Sequence, residues 1–319
     1  MRYYLLFDNK RIDNEFISDK IGIPITVCYS PESNRKIVGW LRGSMKVLTL
    51  SNKGDTIICW YDFQAILCFL MCRLFFMHRK IICINLLLKD KPTIKNRLVS
   101  YLYKKALRSD DFKASVTSVK YGEWLNNKLG INAKYTLLHD VYHDSYKYEK
   151  AVKVRPNSVF CGGKNGRDWH FVMKVAQAMP DVTFNIVMPF NVYQELKNEI
   201  RDNMNVKYNI PYDEFMKELC SSEIVCLPLD TQAPAGLIVM FQAAANLKPI
   251  ITTDTVTTAE YITSDRGVTI VNDVQTWCRA INLSFSNMEK SRNKAIKLQK
   301  YLHDYCSEET FVNGINKML

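Results

Sequence analysis

No G-x-G-x-x-G follows the first strand-like segment, Arg2 to Phe7; the next residues read DNKRIDN. This argues against a dinucleotide-binding dehydrogenase, whose first turn needs glycines to bring backbone against a pyrophosphate. No secretory signal opens the chain. The ten cysteines (28, 59, 68, 72, 83, 161, 220, 226, 278 and 306) are scattered through apolar runs rather than paired by spacing. They are expected to be reduced core residues of a cytosolic protein. Cys68 and Cys72 lie one helical turn apart, but no second Cys or His pair accompanies them, so no zinc site is expected. Nor is there a bilayer-spanning run, since AILCFLMCRLFFMHRK, Ala65 to Lys80, is short and broken by Arg73.

Acidic residues are scarce in the first half. Residues 1 to 150 hold 25 Lys+Arg against 14 Asp+Glu, and the remainder holds 43−25=18 against 32−14=18. The whole net charge of +11 therefore sits in the N-terminal half, which suits an anionic surface or polymer. Within it TIKNRLVSYLYKKALRS, Thr93 to Ser109, reads as a helix. Leu98, Tyr101 and Leu102 lie near one side and Lys95, Lys104, Lys105 and Arg108 elsewhere. Such a helix could lie on an anionic membrane or pack on a sheet as an ordinary amphipathic helix.

At 319 residues and 47% hydrophobic content, the chain can fill two cores. Strands are predicted at 2–7, 25–29, 55–60, 80–87 and 114–119, with helices over 36–46, 64–77, 93–109 and 121–129 between the later ones. This alternation predicts a parallel sheet. Residues 135–148, containing HDVYHDSYKY, read as a polar, irregular lead into a second domain. We place the domains at 1–150 and 151–319. Residues 287–313 read as one long helix.

Two segments of the second half carry the chemistry. Ser158 to Val187, SVFCGGKNGRDWHFVMKVAQAMPDVTFNIV, reads strand, glycine loop, helix, strand. Gly162, Gly163 and Gly166 free the backbone, and the helix beginning near Asp168 presents unpaired N–H groups. Lys164 and Arg167 add charge beside them, a setting for a diphosphate or simply a tight turn. Ser222 to Ile262 then supplies a strand over 224–229, a loop holding Pro234, Ala235 and Gly236, and a helix from Leu237 to Asn246 with three consecutive alanines. Pro249 ends that helix before a strand over 250–253. Asn205 to Asn209 reads as the strand before YDEFMKELCSS.

These segments resemble the donor half of retaining GT-B glycosyltransferases of the group 1 type, which include bacterial envelope and capsular polysaccharide enzymes. The resemblance covers about Ser158 to Ile262; the first half shares only its order of elements. It implies an α/β GT-B fold, two Rossmann-like domains facing a central cleft, the first for the acceptor and the second for the nucleotide sugar. The last helix would cross back to the first domain. It further implies a donor site of Gly162, Gly163, Lys164, Arg167, Pro234, Ala235, Gly236, Leu237 and Gln242. Lys164 and Arg167 stabilise the leaving diphosphate, from a UDP-sugar or GDP-sugar. Two positions depart from the family pattern: its sugar-contacting Glu falls near Pro234 or Ala235, and its ribose-binding Glu falls on Gln242. An amide can still accept from and donate to a diol. No D-x-D sequence, the cation motif of the other main glycosyltransferase fold, occurs, and no metal or separate cofactor is expected.

Acceptor-side candidates after predicted strands are Asp8, Asn9, Asp62, Lys89 and Asp90. Asp62 could accept a hydrogen bond from an acceptor hydroxyl, or cap the following helix. His139 and His143 stand with Asp140 and Asp144, either as a metal pair or as solvated hinge residues. The expected partners are a nucleotide sugar and a glycan or lipid-linked glycan in cell-surface polysaccharide synthesis, on the cytoplasmic face of the plasma membrane. The rival readings are a GT-B-like nucleotide-sugar epimerase and a basic membrane- or nucleic-acid-docking module without turnover. No RNA-binding motif accompanies the basic residues.

Overall fold

A computed structural model describes residues 1–8, 15–88 and 93–319, with only the backbone for residues 15 and 95. The chain divides into two compact units, Met1–Val141 with Glu308–Leu319, and Tyr142–Ser307. The division thus lies ahead of the expected 150, and the last twelve residues, 308–319, count with the first unit.

The first unit runs β1 (Tyr3–Phe7), α1 (Glu15–Lys20), β2 (Ile25–Tyr29), α2 (Lys36–Leu50), β3 (Thr56–Cys59), α3 (Asp62–Leu74), β4 (Lys80–Cys83), α4 (Ile94–Leu107), β5 (Phe112–Val116), α5 (Val119–Leu129) and β6 (Tyr135–Leu137). The second continues with β7 (Ser158–Gly162), α6 (Trp169–Gln177), β8 (Thr183–Met188), α7 (Phe190–Leu196), β9 (Met204–Tyr208), α8 (Tyr212–Ser221), β10 (Ile224–Leu227), α9 (Leu237–Ala245), β11 (Ile250–Thr253), α10 (Thr258–Tyr261), β12 (Val268–Ile270), α11 (Val274–Ser286) and α12 (Met288–Tyr305). The closing helix α13 (Glu308–Asn316) returns to the first unit.

Each unit holds a six-stranded sheet, ordered β2-β1-β3-β4-β5-β6 and β12-β11-β10-β7-β8-β9, and every strand pair is parallel. Parallel strands covered on both faces need apolar side chains on both. The fully buried TIIC of β3 and SVFCG of β7 meet that need. Helix ends follow local chemistry. Ser118 accepts from the Tyr121 N–H to start α5, and Gly130, at φ 60°, stops it in the left-handed conformation.

Right-handed crossovers fix which face each helix covers. In the first unit the chain steps from β1 to β2, then reverses across β1 to β3, β4, β5 and β6. This puts α1 on one face and α2 to α5 on the other. α13 joins α1, where the rings of Phe16 and Phe311 meet edge-on at 6.0 Å. The expected single helix over 287–313 is two helices. The Tyr142 N–H donates to the Cys306 carbonyl at 2.7 Å, taking an acceptor the helix would otherwise use, and α13 leaves for the other unit. Residues 135–137, read as irregular, form the edge strand β6. Its YTL, half-buried at Tyr135 and Thr136 and exposed at Leu137, has too little apolar pattern to be read as a strand from sequence.

In the second unit the chain goes β7, β8, β9, then returns to β10 on the other side of β7 and continues outward to β11 and β12. The reversal puts the carboxyl ends of β7 and β10 side by side, at the point where open α/β sheets bind ligands.

Candidate functional site

The loops leaving β7 and β10 are stitched together at this reversal. Arg167 and Leu229 form an antiparallel bridge, the Asp168 N–H donates to the Pro228 carbonyl at 3.0 Å and the Asp230 N–H to the Gly166 carbonyl at 3.1 Å. Asn272 braces both loops, donating to Asp168 Oδ2 at 3.3 Å and to the Leu229 carbonyl at 3.0 Å. Its own amide oxygen accepts from Thr253 Oγ1.

Arg167 is 6% exposed. Its Nε donates to the Gly162 carbonyl at 2.8 Å and Nη1 to the Asn165 carbonyl at 3.2 Å. No carboxylate among the described residues lies within ion-pair distance of it. Burial without a counter-ion pulls its pKa down to about 10. Two glycines enclose the guanidinium. A Cβ on Gly163 (φ +126°) would stand 2.7 Å from Nη2, and one on Gly236 (φ +79°) would stand 3.0 Å from Nη1. Any side chain at either position would press on the charged group, so here the glycines serve close approach as well as conformation.

Gly236 is also the N-cap of α9, and no side chain caps that end. The first-turn N–H groups of α9 therefore begin beside the guanidinium, adding positive potential. The side chain of Leu237 points into the core at 3% exposure, so this residue can offer a ligand only its backbone. Ala235 is buried against Gly166, where an added Cβ would come within 2.6 Å of it. Pro234 is half-buried in the same loop, and Lys164 is exposed on the opposite loop.

Lys164 lines a pocket of about 170 Å³ with Gly163, Val187, Met188, Asn209, Ile210 and Phe215. Pockets that bury a whole drug-sized ligand usually exceed ~300 Å³, so this one suits a single ring, with apolar walls for its faces. Sequence reasoning did not single out Met188, Asn209, Ile210 or Phe215. The available signal was Asn209, whose φ of +50° turns the chain out of β9 and which precedes Ile-Pro. Gln242 is 4% exposed on α9, its Nε2 donating to the Tyr212 hydroxyl at 3.4 Å. Tyr212 opens α8, two residues beyond Ile210 of the pocket. The Gln242 amide oxygen is buried without a partner among the described residues, an acceptor held ready at some cost in desolvation.

The acceptor-side candidates fare differently. Asn9, Lys89 and Asp90 lie outside the described residues, and Asp8 is half-buried just after β1. Asp62 is 5% exposed, and three donors already take its carboxylate: the Phe63 N–H at 2.7 Å, the Leu87 N–H at 3.2 Å and the Tyr103 hydroxyl. Desolvation raises its pKa despite those bonds. Asp62 thus ties the start of α3 to α4 and to the chain after β4. The helix cap lies one residue earlier, at Tyr61, whose N–H donates to Gln64 Oε1 at 3.4 Å.

Asp140 accepts from Asn85 Nδ2 at 3.1 Å, and Asn85 sits in the left-handed region at φ +47°. Burial pushes the Asp140 carboxyl up to about 6. An acid with a raised folded-state pKa binds its proton more tightly when folded. Its contribution is therefore favourable at low pH and is lost as pH rises from the ordinary aspartate range through 6. Asp140→Asn should then gain stability over the unsubstituted chain above pH 6, with the gain vanishing near pH 4. Chemical denaturation across that range checks this.

Among the described residues, no group of three or more His, Cys, Asp or Glu could hold a metal ion. Cys68 and Cys72 are buried in α3, and no helix among the described residues is long and apolar enough to cross a membrane.

No protein-family model matches the sequence, and no curated protein matches it at the sequence level. Solved structures do match over the whole chain. HepE from Anabaena, in complex with UDP and glucose, is 14% identical with a TM-score of 0.70, over 100% of this chain and 99% of that one. Sucrose-phosphate synthase from Thermosynechococcus elongatus is 10% identical with a TM-score of 0.78, over 100% and 98%. WaaG, a glycosyltransferase involved in lipopolysaccharide biosynthesis, is 11% identical with a TM-score of 0.71, over 100% and 99%. The fold is that of the GT-B glycosyltransferases, as the strand order and the paired units indicate.

Proposed function

We propose that this protein moves a sugar from a nucleoside-diphosphate sugar, UDP- or GDP-linked, to a glycan or lipid-linked glycan acceptor in cell-surface polysaccharide synthesis, with retention of configuration. The observation that carries this reading is Arg167, a buried guanidinium with no acidic partner among the described residues, enclosed by Gly163 and Gly236 at the sheet reversal. A buried cation without a counter-ion is costly, and a bound dianion would satisfy it. The diphosphate would lie between Arg167, Lys164 and the first turn of α9, with the base in the Phe215 pocket and the ribose diol at Gln242. As the glycosidic bond breaks, charge grows on the diphosphate, and fixed donors that need no reorganisation stabilise it. The first unit would take the acceptor, and the reaction would run on the cytoplasmic side. Structural likeness to HepE, which binds UDP and UDP-glucose, supports the choice of donor.

The test is release of nucleoside diphosphate from a panel of sugar nucleotides, with and without extracted envelope glycans. One donor should be cleaved, faster with acceptor than without. No cleavage with any donor would overturn the proposal. Gln242→Ala should weaken a ribonucleoside diphosphate roughly tenfold, the worth of one buried hydrogen bond, and its 2′-deoxy analogue much less. Equal losses in calorimetric titrations would mean that Gln242 only packs.

A further inference from the structure

Helices α2, α3 and α4 lie side by side on one face of the first sheet, and their outer surface has an unusual make-up. α2 and α4 contain no Asp or Glu, and the one carboxylate of α3, Asp62, is buried. Exposed cations remain on it: Lys36, Arg42 and Lys46 from α2, Arg97 and Lys105 from α4, and Arg108 just after it. None has a carboxylate partner within ion-pair distance among the described residues. Asp111, beyond α4, pairs with Arg73 at 3.6 Å and with no other cation among the described residues.

Large apolar side chains stand among these cations. On α2, Ile37, Leu41 and Met45 follow one another at four-residue spacing. On α4, Ile94, Leu98 and Tyr101 do the same at four and three. Both rows lie on the outer side of their helices, opposite the faces buried on the sheet. Of the residues expected on one side of α4, Leu98 and Tyr101 face out and Leu102 is half-buried. At the end of α3, Phe75 and Phe76 are 60% and 88% exposed, and Phe76 is held in the left-handed region at φ +52°. Two adjacent exposed phenylalanines, one of them in a strained backbone conformation, are costly in water. His78 and Lys80 follow them, exposed.

We propose that this face docks the protein on an anionic phospholipid bilayer, with Phe75 and Phe76 entering below the headgroups and the α2 and α4 cations lying among them. The apolar share favours a bilayer over a nucleic acid, since phosphate backbones reward the cations but leave eight bulky hydrophobic side chains in water. The lack of exposed carboxylates on the three helices removes the repulsion that an anionic surface would otherwise meet. The inference does not rest on the sugar-transfer reading.

Flotation of the full chain with phosphatidylcholine vesicles, alone or mixed equally with phosphatidylglycerol, tests it. Binding is expected to the mixed vesicles only. Arg97→Glu with Lys105→Glu and Arg108→Glu should abolish it. Phe75→Ser with Phe76→Ser should weaken it roughly tenfold or more, the expected loss from burying two fewer aromatic rings. The binding left in that variant should vanish at 0.5 M salt, about where screening reaches a few ångströms. An unchanged melting temperature shows that the variants are folded. The proposal is overturned by no vesicle binding at low salt, by binding that neither set of substitutions alters, by tighter binding to RNA than to vesicles, or by a dimer that the phenylalanine variants disperse.

Discussion

Arg167→Met should lose nucleoside-diphosphate binding by about 100-fold or more while leaving the unliganded chain as stable as before, or more so. The two effects have one cause. The guanidinium is 6% exposed, has no carboxylate partner among the described residues, and has its pKa drawn down to about 10 by burial. Burying an unpaired cation costs free energy, which an apolar side chain of similar volume avoids. Against this stand its bonds to the Gly162 and Asn165 carbonyls, each worth about 1.5–3 kcal/mol when the donor is charged. A bound diphosphate would gain two or more charge-assisted hydrogen bonds there, and about 2.7 kcal/mol corresponds to a hundredfold in affinity. Paired thermal scans, with and without nucleotide, read both effects. A melting point lowered by several degrees together with a retained nucleotide shift would make Arg167 a structural pin for the Gly162–Arg167 loop.

Asp62→Ala should act in the opposite way, unfolding the first unit more readily without touching nucleotide affinity. Removing the carboxylate strands the Tyr103 hydroxyl and the Leu87 and Phe63 N–H groups, Tyr103 being fully buried. Each buried donor left unpaired costs about 1–3 kcal/mol, so on the order of 3–5 kcal/mol is expected, with water reaching some of the groups. Asp62→Asn should cost less, since one oxygen remains to accept. If Asp62→Ala instead melts like the unsubstituted chain and loses only turnover, the residue works on the acceptor.

Much of the fold was legible because burial on both faces of a parallel sheet demands continuous apolar runs, and the fully buried β11 falls on the predicted residues, 250–253. The loop after β7 could be placed because Gly162, Gly163 and Gly166 interrupt the pattern between an apolar strand and a helix. Less legible was anything that depends on side-chain partners. Asp62 read better as a helix cap than as an acceptor-site carboxylate, and its bonds to Tyr103 and Leu87 could not be read because both are distant in sequence. The pocket walls Ile210 and Phe215 looked like any apolar residues opening a helix. Helix α13 departs from α12 at Cys306 and Ser307, where the sequence stays helix-forming and only the bond from Tyr142 marks the stop. The outward rows on α2 and α4 were hidden for the same reason, since a helix with apolar residues on two sides does not say which side is buried.

The central claim is that the second unit holds a nucleoside diphosphate at Arg167. A thermal-shift panel of UDP, GDP, ADP, CMP and dTDP on the full chain tests it most directly, since a ligand at a hundred times its Kd adds about 2.7 kcal/mol to stability. The account predicts that UDP or GDP raises the melting temperature by several degrees, that the corresponding monophosphate does so much less, and that the rise disappears in Arg167→Met. Equal and negligible shifts for every nucleotide at millimolar concentration would contradict it.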